Sequence, residues 1–148
     1  MQSQMYAYFH FINAREAIEY YQEVFGATNV FRVSPDEQQA KVLHLPENTN
    51  LDNITMNGGF DVLGSHFVCA DSFSGALRIG NQVSVMLDLD ANDEESVKAA
   101  AEFYDRVKAS GRVQITMPYT DQFWGGKLGI FTDEYGIEWM LHVAPWNK

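Results

Sequence analysis

The groups in this chain that could do chemistry are four histidines, one cysteine and twenty acidic side chains, and their spacing sorts them. Glu138 and His142 stand on one side of an alternating run, Ile137-Glu138-Trp139-Met140-Leu141-His142-Val143, and His10 stands on one side of another, Met5 to Ile12. Successive strand residues point to opposite faces, so Glu138, Met140 and His142 share a face, as do Tyr6, Tyr8 and His10. A carboxylate and two imidazoles are the donors a divalent metal prefers, which makes His10, Glu138 and His142 an imaginable ligand set. Strand neighbours two apart rarely converge on one ion, however. Asp88 and Asp90 have acid/base spacing but are explained as a solvated strand end, and Asp93-Glu94-Glu95 falls where acids complement a helix dipole. His44 and His66 read as ordinary surface or loop histidines. Cys69, in Phe67-Val68-Cys69-Ala70, has no basic neighbour and reads as a small core residue. No Gly-x-Ser-x-Gly elbow and no Gly-x-x-x-x-Gly-Lys loop occurs, so hydrolase and nucleotide-transfer chemistry lack a starting residue.

Two helices must position these groups. Ala14, Ala17, Ile18, Tyr21, Val24 and Phe25 form a 3.6-period stripe with Asn13 as N-cap, Glu16 three residues on and Gly26 as the stop. Val97, Ala100, Ala101, Tyr104 and Val107 form a second, following Asn92 and Glu95 and ending at Gly111. Ala17-x-Glu19-Tyr20-Tyr21-x-x-Val24 lies over Ala100-x-Glu102-Phe103-Tyr104-x-x-Val107. One strand-like run precedes each helix, Met5 to Ile12 and Val83 to Leu89. About three follow: Val30 to Val33, Ala40 to Leu45 and material between Ile54 and Ala70 after the first; Val113 to Thr116, Lys127 to Thr132 and Ile137 to Val143 after the second. The expectation is an internal duplication of βαβββ units, with module one about 1–75, module two about 80–148, and loops at 46–59 and 71–81. Phe123-Trp124-Gly125-Gly126 is either a lid or a tight turn, and Asp133-Glu134-Tyr135-Gly136 a hairpin.

Each strand has one face fit to pack under a helix. The opposite faces are mixed: Tyr6, Tyr8 and His10; Ser84, Met86 and Asp88; Glu138, Met140 and His142. A solvent-facing sheet would carry Lys, Glu and Thr instead, so these faces are expected to line a cavity for a small organic molecule. The competing reading makes them a subunit interface or a second mini-core.

Composition excludes other partners. The chain has 148 residues, 46% hydrophobic and 14% aromatic, with a formal charge of −10 and no Lys/Arg cluster, so neither nucleic acid nor an anionic membrane is an expected partner. No apolar run approaches the ~20 residues of a membrane span, the first residues lack a signal peptide's pattern, and a lone cysteine fits a reducing compartment. The expected location is the cytoplasm.

Several of these segments together resemble one family. Asn13 to Ala27, Cys69-Ala70-Asp71, Phe123-Trp124-Gly125 and Asp133-x-x-Gly136-x-x-Trp139-Met140 look like the PhnB-like branch of the vicinal oxygen chelate superfamily, which includes glyoxalase I, fosfomycin- and bleomycin-resistance proteins and extradiol dioxygenases. The resemblance implies an α+β chain of two tandem βαβββ modules, curled mixed sheets with helices packed on their outer faces, assembled as a homodimer. PhnB-like proteins also carry a 3-demethylubiquinone methyltransferase label, but no Gly-rich cofactor loop supports that chemistry here. The superfamily's enzymes hold a divalent metal with His and Glu; in this chain those positions fall on Tyr6, on Gln82 or Ser84, and on Met140. The expectation is therefore a binding protein without metal or other cofactor, whose pocket uses Tyr6, Tyr8, His10, Ser84, Met86, Phe123, Trp124, Glu138 and Met140. Two alternatives stand: a metal-dependent lyase, isomerase or dioxygenase with Glu138 as base, and a dimer whose mixed faces serve assembly alone.

Overall fold

In the computed structural model, which describes residues 1–147, the chain divides between Arg78 and Ile79 into two compact units. The first runs β1 (Tyr8–Phe11), α1 (Ala14–Phe25), β2 (Thr28–Val33), α2 (Glu37–Val42), a 3₁₀ turn (Leu51–Asn53), β3 (Asn57–Val62) and β4 (Ser65–Asp71). The second runs β5 (Val85–Asp90), α3 (Glu94–Ser110), β6 (Gln114–Asp121), β7 (Lys127–Thr132) and β8 (Glu138–Ala144). Each unit is one four-stranded open sheet, ordered β1-β4-β3-β2 and β5-β8-β7-β6. The first and last strands run parallel and the rest antiparallel. The two topologies are identical, so the chain is α+β with a duplicated βαβββ module.

The helices form where their end signals and apolar stripes coincide. Asn13 accepts from the Glu16 amide at 3.1 Å, and Gly26 and Gly111 close α1 and α3 at φ 69° and 67°, a conformation glycine adopts without cost. Ala17, Tyr20, Tyr21 and Val24 are buried in the first unit, and Ala100, Phe103, Tyr104 and Val107 at the matching positions of the second. Full burial of a side chain such as Val24 contributes about 1.5–3 kcal/mol. Under α1, Phe9 stacks on Phe67 at 5.6 Å and Tyr21 on Phe60 at 4.8 Å. Under α3 the sheet presents Leu87, Phe131, Trp139, Leu141 and Val143.

Two acids hold the ends of this core. Buried Asp71 accepts from the amides of Ala14 at 2.7 Å and Thr55 at 3.1 Å, placing a carboxylate at the start of α1, where the helix dipole favours it. Buried Asp133 accepts from the amides of Tyr135 and Ile137 at 2.8 and 3.0 Å and from Trp139 Nε1 at 2.8 Å. The Asp133-x-x-Gly136 hairpin is thus locked to the largest fully buried side chain.

Three expectations need correction. Ala40 to Leu45 is not a strand: Asp36 and Gln39 form a capping box that nucleates α2 over its first residues, and both remaining strands of the unit lie between 57 and 71. The expected loop at 46–59 ends earlier, because Asn57 begins β3. The N-cap of α3 is Asp93 rather than Asn92, and its side chain makes no cap hydrogen bond. His66 is exposed, as expected of a surface histidine, and lies on β4, paired with Asp61 of β3.

Candidate functional site: the exposed sheet faces

Register assigns the faces. Phe9 pairs with Cys69 and Leu87 with Leu141, all four buried against their helices, so Tyr8 and His10 in the first unit correspond to Met86 and Asp88 in the second. Two residues further back, Tyr6 corresponds to Ser84. The faces away from the helices carry the sequence-predicted residues other than Phe123 and Trp124, which lie on the turn between β6 and β7.

In the first unit the exposed face is aromatic and imidazole-rich. Tyr8, Val68, Gly59 and Phe31 form one row across the four strands. The Tyr8 and His10 rings lie 5.0 Å apart; His66 stacks on Phe31 at 6.0 Å and meets the edge of Tyr6 at 5.7 Å. His66 Nδ1 is 2.7 Å from Asp61 Oδ1, and Asn29 Nδ2 donates to Asp61 Oδ2 at 2.8 Å. The Asn29 amide, then His66, hold the Asp61 carboxyl below the usual carboxylate range. Phe31 and His66 were missed in the sequence because neither sits in a cleanly alternating run. The register of β3 against β4 is what joins His66 to Asp61.

The second unit is built in three rows. Met86, Met140, Ile130 and Met117 cross the four strands side by side, an apolar row of three thioethers and a branched aliphatic. On one flank Glu138 pairs with Thr132 and its Oε1 accepts from Ser84 Oγ at 2.5 Å. On the other, Asp88, His142, Leu128 and Thr120 form a row, and His142 Nδ1 is 2.7 Å from Asp88 Oδ1. Asp88 is therefore engaged by an imidazole rather than simply solvated, and Asp90 accepts from the amides of Asn92 and Trp146 at 3.0 and 3.1 Å. Parallel pairing of the first and last strands, once the module is recognised, was the signal that could have joined Asp88 to His142. Met117 escaped because register shifts on both sides of it break the alternation of β6.

Gln122-Phe123-Trp124-Gly125-Gly126 is a tight turn between β6 and β7, closed by Gln122 N to Gly126 O at 2.7 Å. Phe123 at its tip is 97% exposed and meets the Trp124 ring edge-on at 5.0 Å. Cys69 is fully buried, and that burial, with the Asp71 charge second, pushes its thiol up to about 12.

The donors do not match a divalent-metal site. Tyr6 offers a phenol, Ser84 a hydroxyl already given to Glu138, and Met140 a thioether in the apolar row. A hard or borderline dication selects imidazole and carboxylate over these. Among the described residues no three His, Cys, Asp or Glu side chains gather at one point. Of the imagined set, Glu138 and His142 each bond within the second unit, and His10 belongs to the first. Among the described residues no helix is long and apolar enough to cross a membrane.

Duplicated βαβββ modules with this strand order define a fold class, and the comparisons with known proteins agree. The fold is that of the vicinal oxygen chelate superfamily. The chain is 24% identical over 137 residues to Protein YjdN of Escherichia coli (strain K12), covering 89% of this chain and 88% of that protein. It matches the structure of a putative 3-demethylubiquinone-9 3-methyltransferase, PhnB protein, from Bacillus cereus with TM-score 0.61 and 20% identity over 96% of this chain and 100% of the other. It also matches the fosfomycin resistance protein FosX from Listeria monocytogenes, complexed with Mn(II) and sulfate, with TM-score 0.59 and 12% identity over 99% and 95%. No protein-family model matches the chain.

Proposed function

We propose that this protein is a small-molecule binding protein of the vicinal oxygen chelate type, working without a bound metal and taking up a largely apolar or aromatic ligand. The observation that carries this reading is the Met86-Met140-Ile130-Met117 row, bounded by polar pairs on both flanks. Thioethers adapt their shape to a flat or irregular apolar surface, and the polar flanks supply orientation. The first unit has an exposed face of its own, with Tyr6, Tyr8 and Phe31 as rings suited to stacking. We place the protein in the PhnB-like branch, in the cytoplasm and as a homodimer.

Elemental analysis of purified protein together with calorimetric titration against aromatic compounds tests the proposal. The expected result is no stoichiometric metal and saturable binding that weakens on Met140→Lys. Stoichiometric Ni, Zn, Fe or Mn that leaves on Glu138→Ala or His10→Ala overturns it in favour of a metal-dependent enzyme with Glu138 as base.

A further inference from the structure

Past the methionine row, toward the ends of β5 and β8, the second unit opens a cleft of about 260 Å³ lined by Asp88, His142, Ala144, Pro145 and Trp146. Its far wall is held in place: the Trp146 amide donates to Asp90, and Asn92 bonds Asn147, so the segment after β8 is tied back to the start of α3. The chemistry of the cleft follows from His142. A carboxylate only accepts, so the 2.7 Å contact to Asp88 puts the ring proton on Nδ1 and leaves Nε2 of the neutral ring an acceptor.

The glycine of the neighbouring turn shows where that acceptor lies. A Cβ built on Gly126 would stand 3.0 Å from His142 Nε2, 3.1 Å from Trp124 Nε1 and 3.5 Å from Ala144 Cβ. An oriented acceptor and an indole N–H donor thus flank one small notch beside the cleft. Among the described residues neither of these two nitrogens has a hydrogen-bond partner within the protein. A hydroxyl both donates and accepts, which is the complement of this pair, and the Trp146 ring and Pro145 offer the flat apolar surface that a planar ring would cover.

We propose that this cleft recognises the hydroxyl of a phenolic ligand, with His142 Nε2 accepting the O–H, Trp124 Nε1 donating to the same oxygen, and Asp88 fixing the imidazole. The proposal rests on the binding reading above and assigns it a ligand class and an orientation. Neither the Asp88–His142 pair nor Trp146 belongs to the ligand positions of the superfamily's metal site.

The test is calorimetric titration of the full chain with 2-naphthol and with 2-methoxynaphthalene, which has the same ring but no O–H. The expected result is about tenfold tighter binding of the naphthol, the share one well-placed hydrogen bond supplies. That ratio falls to about one in His142→Phe. It also falls in Gly126→Ala, whose methyl fills the notch and presses on His142 Nε2 and Trp124 Nε1, and circular dichroism checks that both variants fold. Equal binding of the two compounds by the unaltered protein overturns this inference and leaves the binding reading standing, as does a preference that survives His142→Phe. Binding of neither compound overturns both.

Discussion

Replacing Asp133 by Asn tests whether one carboxylate holds the second unit's hairpin in register. Asp133 Oδ1 accepts from two backbone amides of the turn, and Oδ2 accepts from the indole of Trp139, which is fully buried. Asparagine keeps one oxygen for the amides but turns an N–H₂ toward the indole N–H, so a donor faces a donor inside the core. Hydrogen bonds to charged groups contribute about 1.5–3 kcal/mol, and a buried unsatisfied donor costs about 1–3 kcal/mol. Because these overlap in one bond, Asp133→Asn is expected to cost about 2–3 kcal/mol. That corresponds to a fall of roughly 5–10 °C in Tm for a chain of this length. Urea unfolding followed by circular dichroism gives the free energy. Trp139→Phe, which deletes the N–H, completes a double-mutant cycle with an expected coupling of about 1–2 kcal/mol. Stability within about 0.5 kcal/mol of the unaltered protein, or a coupling of zero, refutes the reasoning: Trp139 would then be held by packing alone.

Two further outcomes follow from the first unit. Cys69, fully buried with its thiol pushed up to about 12, is expected to resist iodoacetamide at pH 8 in the folded protein and to react at once in denaturant, as mass spectrometry would show; rapid modification of the native state contradicts the core assignment. Asp61 has its folded-state pKa lowered, chiefly by Asn29 and then His66, so it adds stability that is present above the ordinary carboxylate range and lost as pH falls through the lowered value. Asp61→Asn should therefore flatten the stability-against-pH curve below about pH 4, and an unchanged acid limb counts against the Asn29-Asp61-His66 cluster.

The two long helices α1 and α3 were legible because apolar stripe and stop glycine agreed. Asn13, Glu16 and Gly26 fall at cap, first turn and stop, and α3 repeats four of the seven buried positions of α1, with Ala100, Phe103, Tyr104 and Val107 in place of Ala17, Tyr20, Tyr21 and Val24. Val97 and Ala101 of its expected stripe stay exposed. The strand at Ala40 to Leu45 was misread because Val42, Leu43 and Leu45 are apolar yet bury nothing completely, while Asp36 and Gln39 satisfy each other locally. There a capping box outweighs hydrophobicity. The site was half legible. Alternation placed Ser84, Met86, Glu138 and Met140 on one face, but which residues meet across strands is a matter of register, and register is a long-range property. Asp88 with His142, Asp61 with His66, and Met117 in the methionine row all depend on it.

Comparison of the two modules separates what the fold demands from what it leaves free. On the helix-facing side, Phe9 and Leu87, Cys69 and Leu141 differ in size but not in kind, because close packing under α1 and α3 admits only apolar groups. On the other side the same positions hold Tyr8 against Met86 and His10 against Asp88, with no such restraint. Residues on that side can therefore change in chemical kind while the helix-facing residues stay apolar. Selection is free to act on that face through shape and hydrogen bonding. The methionine row and the Asp88–His142 pair are the features on which such selection would leave its mark.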